Sequence, residues 1–276
     1  MATSSSKAMG SLADLLLDFV DSTRVHDQNY DIAQGLLRNY TKLSGMSLRQ
    51  MADACYVSPA SFSRFCRFMG FGNFTEFKEA VDGTNYRLTD DYTRQFYSDL
   101  MEDQAKALEG YRANVVEVLG SALSETDLAV VERLVDALDE ADRIAFFSHH
   151  FLWHIGRYLQ GKMLPMGRYV ELCQSYANQE GVAASLGPND VAVICSLNGS
   201  FFSHYRELVG MVFDTGAKVV VLTQNRHSLF INRAECVLMC GSSNENDVGK
   251  YAALMTIDYL VMSYMRHVQA KGRDNG

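Results

Sequence analysis

Residues 47–78 read SLRQMADACYVSPASFSRFCRFMGFGNFTEFK, and this stretch decides how the rest of the chain is interpreted. Apolar residues recur in it at positions i, i+3, i+4 and i+7, the spacing of one helical face, in two separate runs. The first run is Leu48, Met51, Ala52 and Cys55, and the second is Phe62, Phe65, Cys66 and Met69. The pattern therefore predicts two short helices in close succession.

The residues between the two runs predict a tight turn. Ser58 is placed as the N-cap of the second helix, and Pro59 as its first residue, where a missing N–H costs no hydrogen bond. Gly70 is placed to end the same helix in the left-handed conformation. Two short helices joined in this way form a helix-turn-helix. A small helical bundle with a solvated polar face would give the same pattern, so the chemistry of that face has to decide.

The outward face of the second predicted helix carries hydroxyl and guanidinium groups, which suit DNA, since arginine pairs with the guanine edge and serine reaches bases and phosphates. Residues 38–78 contain six basic and two acidic side chains, whereas the whole chain has a formal net charge of -8. A basic patch on an acidic protein indicates a polyanionic partner at one place. We expect that partner to be double-stranded operator DNA. The expected DNA-facing residues are Ser58, Ala60, Ser61, Ser63, Arg64 and Arg67, with Arg64 on a base and Arg67, Lys42 and Arg49 on phosphates.

This stretch resembles the helix-turn-helix of the RpiR-type (MurR/RpiR) bacterial transcription regulators. The residues that carry the resemblance are Val57, Ser58, Ser61, Arg64, Phe65, Gly70, Phe71, Phe74, Phe77 and Lys78. Phe68 departs from the family pattern, which more often has a basic residue there, and this departure predicts the loss of one phosphate contact. The resemblance implies an oligomer whose recognition helices occupy the half-sites of a near-palindromic operator. Whether that oligomer is a homodimer or a tetramer stays open.

Length and composition bound the protein class. At 276 residues with 47% apolar content, the chain is long enough for two domains with cores of their own. Its six cysteines form no C-x-x-C pair, which favours buried thiols in a reducing compartment. No apolar run reaches the roughly 18 residues of a membrane span. We therefore expect a soluble cytoplasmic protein, with no membrane association and no cofactor.

Changes of pattern along the chain predict three segments. Two further helices, Leu12–Val20 and Tyr30–Tyr40, complete an all-α helix-turn-helix domain over residues 1–84, which ends at a turn-rich break. Residues 85–125 are expected to form a helical linker that connects the domains or pairs with its copy across a dimer. Residues 126–276 are expected to form an α/β domain that binds an effector and dimerises.

The α/β prediction rests on five short apolar runs that alternate with helical patterns. Runs of this kind are typical of a parallel sheet with helices on both faces. The predicted strands are Arg143–Phe147, Tyr169–Leu172, Val191–Cys195, Lys218–Thr223 and Cys236–Met239. The predicted helices are Asp127–Asp139, Phe151–Leu164, Gln179–Ser185, Phe202–Thr215 and Val248–His267. A ligand site is expected in the loops that follow the strands, at residues 148–150, 196–200 and 223–228.

This second part resembles the sugar isomerase (SIS) domain, which RpiR-type regulators carry behind their DNA-binding part. The resemblance is carried by the order of elements, by the Leu-Gly-Pro-Asn-Asp lead-in to VAVICS and by the Gly-Ala-Lys lead-in to VVVLT. It implies an effector that is a phosphosugar or a related metabolite. The expected ligand-binding residues are Ser148, His149, Ser196, Asn198, Gly199 and Ser200.

Both candidate ligand loops depart from the phosphosugar-binding pattern. The loop of residues 147–151 lacks the glycines of the usual Gly-x-Gly-x-Ser sequence. The loop of residues 196–201 keeps Ser196 and Gly199, but Asn198 replaces a serine and Phe201 stands where a threonine is usual. A degenerate SIS domain that dimerises without a ligand is therefore one alternative reading.

Two further alternatives concern chemistry at the same loops. His150 and His154 have the i, i+4 spacing of metal ligands, but no acidic or cysteine partner has an evident place beside them, so we expect no metal site. Together with His149 and His204 they are either structural or able to bind an anionic ligand. A sugar-phosphate isomerase would need a positioned base, for which Glu207 or His204 could be proposed. The attached helix-turn-helix favours a non-enzymatic regulator.

Overall fold

The computed structural model describes residues 12–83, 92–124, 128–173, 176–228, 230–241 and 247–274. The chain divides into two compact units: the described residues up to 83 belong to the first, and nearly all of those from 92 onward belong to the second. The domain borders that the sequence predicts, at residues 84–85 and 125–126, lie outside the described residues. No helix in the described ranges is both long and apolar enough to cross a bilayer.

The first unit is helical throughout its regular elements. It contains α1 (Leu12–Ser22), α2 (Gln28–Arg38), a 3₁₀ turn (Tyr40–Gly45), α3 (Leu48–Ala54), α4 (Pro59–Phe68) and α5 (Phe74–Gly83). Helix α2 begins two residues before its predicted start because the Asp27 carboxylate accepts hydrogen bonds from the backbone N–H groups of Asn29 and Tyr30, at 2.9 and 3.1 Å.

Aromatic side chains hold α4 and α5 together. The ring of Phe62 lies edge-on to Phe77 and Phe74, at centroid distances of 5.7 and 6.2 Å. Edge-to-face pairs of this kind each contribute about 0.5–1.5 kcal/mol beyond the area they bury. The apolar stripe predicted for the second helix therefore faces the core, where Phe62, Phe65 and Cys66 are fully buried.

The second unit begins with helices and continues with the sheet. Its first helices are α6 (Arg94–Glu102), α7 (Gln104–Ser121) and α8 (Leu128–Glu140). Asp103 separates α6 from α7, and its carboxylate caps α7 by accepting a hydrogen bond from the N–H of Lys106 at 3.1 Å. The helical pattern predicted for the linker thus becomes two helices that belong to this unit.

Five strands form one parallel sheet in the order β2-β1-β3-β4-β5, which confirms the predicted fold class. The strands are β1 (Ile144–Phe147), β2 (Val170–Leu172), β3 (Val191–Cys195), β4 (Lys218–Thr223) and β5 (Cys236–Met239). The helices of this part are α9 (Phe151–Met163), α10 (Tyr176–Ser185), α11 (Ser200–His204), α12 (Arg206–Asp214) and α13 (Gly249–Asp274). The predicted helix Phe202–Thr215 is in fact two helices, which are separated at Tyr205.

The strand order determines where a ligand can bind. All four residues of β1 and all five of β3 are buried, as expected for central strands covered by helices on both faces. Strand β2 lies on one side of β1 in the sheet, and β3, which follows β2 along the chain, lies on the other side of β1. The direction in which successive strands are added to the sheet therefore reverses between β1 and β3. In open parallel sheets a crevice forms at this point, beyond the carboxyl ends of the strands.

Candidate functional site

Local hydrogen bonds fix the geometry of the helix-turn-helix. The Ser58 hydroxyl accepts from the N–H of Ser61 at 3.1 Å, and Pro59 is the first residue of α4, as the sequence predicts. At the other end, Gly70 has φ +93°, and the N–H of Phe71 donates to the carbonyl of Cys66 at 3.0 Å. The recognition helix therefore has defined ends, from its N-cap to its left-handed stop.

The side chains predicted to face DNA form a connected set at the start of α4. The Arg64 guanidinium donates to the Ser61 hydroxyl at 2.9 Å, and the Ser58 hydroxyl donates to the same oxygen at 3.2 Å. Arg64 is exposed and Ser63 is half-buried. The other predicted DNA-facing residues, Ala60, Arg67, Lys42 and Arg49, are exposed as well.

Lys78, counted in the basic patch of residues 38–78, has a structural role. Its ammonium group donates to the Asp82 carboxylate at 2.8 Å and to the carbonyls of Leu43 and Ser44 at the end of the 3₁₀ turn. The hydrogen bond from Lys78 lowers the pKa of the Asp82 carboxyl, so the carboxylate is charged at neutral pH. Because Asp82 lies just beyond the counted window, the charge offered to DNA is smaller than the sequence count indicates.

Phe68, which lacks the positive charge that the resemblance predicts at its position, packs against α1. Its ring meets that of Phe19 edge-on at a centroid distance of 5.3 Å, while 56% of the side chain stays exposed. Phe68 thus joins the end of α4 to α1 by an aromatic contact.

In the second unit, the carboxyl ends of the central strands are tied together by buried polar side chains. The Ser148 hydroxyl, which is fully buried, donates to the carbonyl of Cys195 at 2.8 Å and so joins the ends of β1 and β3. The Gln179 amide donates to the carbonyls of Ser148 and Cys173, at 3.0 and 2.8 Å. Ser148, predicted as a ligand residue, therefore has a structural hydrogen bond that holds the crevice in shape.

Two predicted ligand residues from different loops come together at the crevice. The imidazole Nε2 of His149, after β1, lies 3.4 Å from the hydroxyl of Ser200, after β3. The His149 ring also packs against Phe201 and Tyr205, at centroid distances of 5.5 and 5.6 Å. The geometry therefore pairs a titratable ring with a hydroxyl at the point where the strand order reverses.

The other histidines lie around this pair in different ways. The Nδ1 of His204 lies 2.9 Å from the carbonyl oxygen of Ser200, whereas the ring of His154 contacts Trp153 and Phe151 along α9. Within the residues that the structure describes, no group of three or more His, Cys, Asp or Glu side chains could hold a metal ion.

The loop after β3 satisfies its own backbone amides. The Ser196 hydroxyl, which is buried, accepts from the N–H of Phe201 at 3.1 Å, and the Asn198 side-chain oxygen accepts from the N–H of Ser200 at 3.0 Å. In anion-binding loops, such N–H groups point at the anion. Asn198 thus supplies from within the chain an oxygen acceptor of the kind that a bound phosphate would offer.

The loop after β1 adopts a glycine-like conformation although it contains no glycine. His150 has φ +52° and ψ -140°, a region that L-residues rarely occupy. Such backbone strain costs about 1–3 kcal/mol and is common at ligand sites. This loop therefore holds a strained backbone at a residue that is not glycine.

Comparison with known proteins finds a family match for the helix-turn-helix domain. Residues 22–85 match the family model described as the helix-turn-helix domain of the rpiR family. The matched residues include all of α2, α3, α4 and α5, and thus the whole helix-turn-helix. The chain is 28% identical over 239 residues to an uncharacterised HTH-type transcriptional regulator of Haemophilus influenzae. That alignment covers 83% of this chain and 82% of the relative. The chain is 26% identical over 208 residues to the HTH-type transcriptional regulator HexR of Pseudomonas aeruginosa, across 70% of this chain and 66% of that protein.

A solved structure extends the likeness to the fold of almost the whole chain. The NanR protein of Vibrio vulnificus, whose structure is a complex with ManNAc-6P, matches with a TM-score of 0.50 and 19% identity. The match covers 95% of this chain and 97% of NanR. The fold is therefore shared along almost the whole chain.

Sequence reasoning missed two residues of this protein that the structure brings forward. Ser228 follows β4 and is buried beside Gly199, where its hydroxyl has no hydrogen-bond partner among the described residues. Tyr56 lies in the turn before α4 with φ +57° and is 96% exposed. Ser228 could have been found from the predicted ligand loop of residues 223–228, which it ends. Tyr56 could have been found from its place in the break between the two helical patterns.

Proposed function

We propose that this regulator senses a phosphorylated sugar or a closely related anionic metabolite through its α/β domain and changes its operator binding in response. The observation that carries the proposal is the 3.4 Å approach of His149 Nε2 to the Ser200 hydroxyl. This approach joins the loops after β1 and β3 at the crevice where open parallel sheets bind their ligands.

The chemistry of the crevice suits an anion. A protonated imidazole and a serine hydroxyl both donate hydrogen bonds to phosphate oxygens, and charge-assisted bonds are roughly twice as strong as neutral ones. The loop after β4 adds Arg226 and His227, whose side chains are exposed. The ManNAc-6P complex of NanR supports the ligand class, because NanR shares the fold along almost its whole length.

The expected ligand contacts differ from one residue to the next. Ser200 and His149 are proposed as direct contacts. Ser148 and Ser196 are proposed to shape the site, because their hydroxyls are buried and engaged with Cys195 and Phe201. Asn198 and Gly199 are proposed to complete the loop, with a ligand oxygen replacing the Asn198 side-chain oxygen as the acceptor of the Ser200 N–H.

On the DNA side, we propose that α4 is the recognition helix of a homo-oligomer on a two-fold operator. Arg64 reads a base edge, while Arg67, Lys42 and Arg49 contact phosphates. Such a regulator works in the cytoplasm, where its operator is.

We also propose that the α/β domain is not an isomerase. Proton transfer between sugar carbons needs a base held within hydrogen-bond reach of the substrate. Glu207 and His204 are both exposed, and His204 Nδ1 is 2.9 Å from the carbonyl of Ser200. The relatives named as transcriptional regulators favour sensing over catalysis.

The test is a thermal-shift screen of the full chain against sugar phosphates, free sugars and amino sugars. A ligand at 100 times its Kd stabilises a protein by about 2.7 kcal/mol, which raises Tm by roughly 5–10 °C for a domain of this size. We expect one phosphosugar to give such a shift, and Ser200→Ala and His149→Ala to abolish it.

Ser203→Ala is the matched control, because Ser203 is exposed and its hydroxyl donates only to the carbonyl of Gly199, at 3.3 Å. It should retain the shift. If no compound in the panel raised the Tm of a protein that still binds DNA, the sensing proposal would be rejected and the domain would remain a dimerisation module. Turnover of a sugar phosphate would reject the non-enzymatic reading.

A further inference from the structure

Tyr56 occupies a backbone conformation that disfavours its side chain. It follows α3 with φ +57°, and its N–H donates to the carbonyl of Asp53 at 3.1 Å while the N–H of Val57 donates to that of Ala52 at 2.9 Å. This is the hydrogen-bond pattern of a helix that ends with a left-handed residue, a position at which glycine is usual and asparagine is tolerated. For a bulky residue the conformation is a genuine outlier.

Packing does not compensate for this strain. The Tyr56 side chain is 96% exposed, whereas Cys55 on one side is buried and Val57 on the other is half-buried. Within the described ranges, Tyr56 takes part in no aromatic pair, whereas Phe62, Phe74 and Phe77 pair with one another. Glycine or asparagine would relieve the backbone and cost the fold almost no buried surface.

The position of Tyr56 suggests what the ring is for. It lies two residues before Ser58, the N-cap of α4, so it stands at the end of the recognition helix where Ser58, Ser61 and Arg64 are linked by hydrogen bonds. The exposed phenol of Tyr56 therefore lies at the same end of α4 as the groups that are proposed to contact DNA. Persistent strain at a fully exposed residue is an indication of function.

We propose that Tyr56 is a DNA contact, whose phenol hydroxyl donates to a phosphate of the backbone beside the recognition helix. This inference rests on DNA binding by the helix-turn-helix. A phosphate contact positions the protein and carries no direct sequence information. Because the hydroxyl is neutral, it releases no counterion, so it adds affinity without adding to the salt dependence that lysine and arginine contacts produce.

The experiment measures binding of the full chain to two duplexes at several salt concentrations. One is a fluorescein-labelled random-sequence duplex, and the other is an operator selected from a randomised pool with the wild-type protein. Tyr56→Asn and Tyr56→Gly both suit a positive φ, and Tyr56→Phe keeps the ring but removes the hydroxyl. Tyr169→Ala removes a tyrosine that is 63% exposed in the second unit and serves as the control.

We expect Tyr56→Asn and Tyr56→Phe to raise Kd about tenfold on both duplexes, the usual loss for a hydrogen bond to a charged group. The slope of log Kd against log salt should stay unchanged. Tyr56→Asn and Tyr56→Gly should melt about 2–4 °C higher than the wild type, because they release the backbone strain. Tyr169→Ala should leave binding unchanged.

Several results would overturn the assignment. Wild-type affinity in Tyr56→Asn and Tyr56→Gly, alongside weak binding by Arg64→Ala, would remove Tyr56 from the interface while leaving DNA binding in place. A loss confined to the selected operator would make Tyr56 a base reader, and a reduced salt slope would mean that a basic side chain had moved. If the wild type bound neither duplex, the DNA-binding role itself would fail, and this inference with it.

Discussion

The guanidinium of Arg64 donates a hydrogen bond to the hydroxyl of Ser61, one turn earlier on the recognition helix, at 2.9 Å. Ser61 in turn accepts from Ser58, the N-cap of the same helix, at 3.2 Å. The hydroxyls therefore hold a long, exposed side chain against the face of the helix. Ordering a side chain on binding costs about 0.5–1.5 kcal/mol, so an arginine that is already held loses less entropy when it meets DNA.

Ser61→Ala should weaken operator binding by about 0.5–1.5 kcal/mol, because Arg64 would then be ordered only in the complex. The stability of the domain should hardly change, since the Ser58 cap bonds the backbone N–H of residue 61, which alanine keeps. Fluorescence anisotropy gives the affinity, and urea unfolding gives the stability. Thr75→Ala, which removes an exposed hydroxyl of α5, is the control. Equal losses in both variants would argue against a special role for Ser61.

Arg64→Ala should lose about 1–3 kcal/mol on the specific operator and relax the preference at one base position. A base contact is lost only where that base is present, so binding to random DNA should fall much less. Lys42→Ala is the comparison, and it should weaken both duplexes alike while reducing the salt slope by about one. If Arg64→Ala lowered both affinities equally, Arg64 would be a phosphate contact instead.

Ser58→Ala should destabilise the first unit by about 1 kcal/mol, the usual cost of losing an N-cap. The Ser58 hydroxyl accepts from the N–H of Ser61, which becomes unsatisfied in the variant. Urea unfolding followed by circular dichroism measures the change. Ser44→Ala, which removes a hydroxyl bonded at 3.0 Å to the exposed carboxylate of Asp82, should cost much less. Unchanged stability of Ser58→Ala would mean that solvent replaces the cap.

The sequence predicted most of the fold because its signals are local. Three of the five strands, β3, β4 and β5, coincide with their predicted apolar runs, and the Ser58 and Gly70 ends of α4 follow from their side chains alone. The break at Tyr205 inside the predicted helix Phe202–Thr215 was missed, because the apolar spacing continues across it.

The candidate sites were less predictable, since they depend on contacts between distant segments. The pairing of His149 with Ser200 joins residues 51 positions apart, and nothing in either loop sequence fixes their distance. The basic patch was overcounted because Lys78 bonds carbonyls more than 30 residues away, at Leu43 and Ser44. The positive φ of His150 and Tyr56 was missed because no glycine marks either position.

Gly199→Ala should destabilise the second unit by about 2 kcal/mol. Gly199 has φ +85°, which costs an L-residue about 1–2 kcal/mol, and an added Cβ would lie 2.7 Å from the Ser228 hydroxyl. Ser228→Ala removes that hydroxyl. The double variant should therefore regain the stability lost to the steric clash but not the stability lost to the backbone strain at residue 199. Urea unfolding of the two single variants and the double variant separates these contributions. If the free-energy changes of the two single variants added up fully in the double variant, the Ser228 hydroxyl would not clash with the added Cβ at residue 199.

The stability of the second unit should fall in acid through Asp139, which joins α8 to α13. Its carboxylate accepts from Lys271 and, at 3.0 Å, from the Tyr264 hydroxyl, and it lies 3.3 Å from His267 Nε2. These bonds, that from Lys271 first, lower the pKa of Asp139 to about 2. A carboxyl with a lowered folded-state pKa stabilises the protein above its unfolded pKa near 3.9 and loses that contribution as pH falls toward 2. Solvent screens this partly exposed group, so we expect a loss of about 1 kcal/mol between roughly pH 5 and 2.

Asp139→Asn should flatten that part of the pH–stability curve, whereas Asp136→Asn, on the same helix and 61% exposed, should not. The contribution of Asp139 would be refuted if the two variants and the wild type lost stability in parallel.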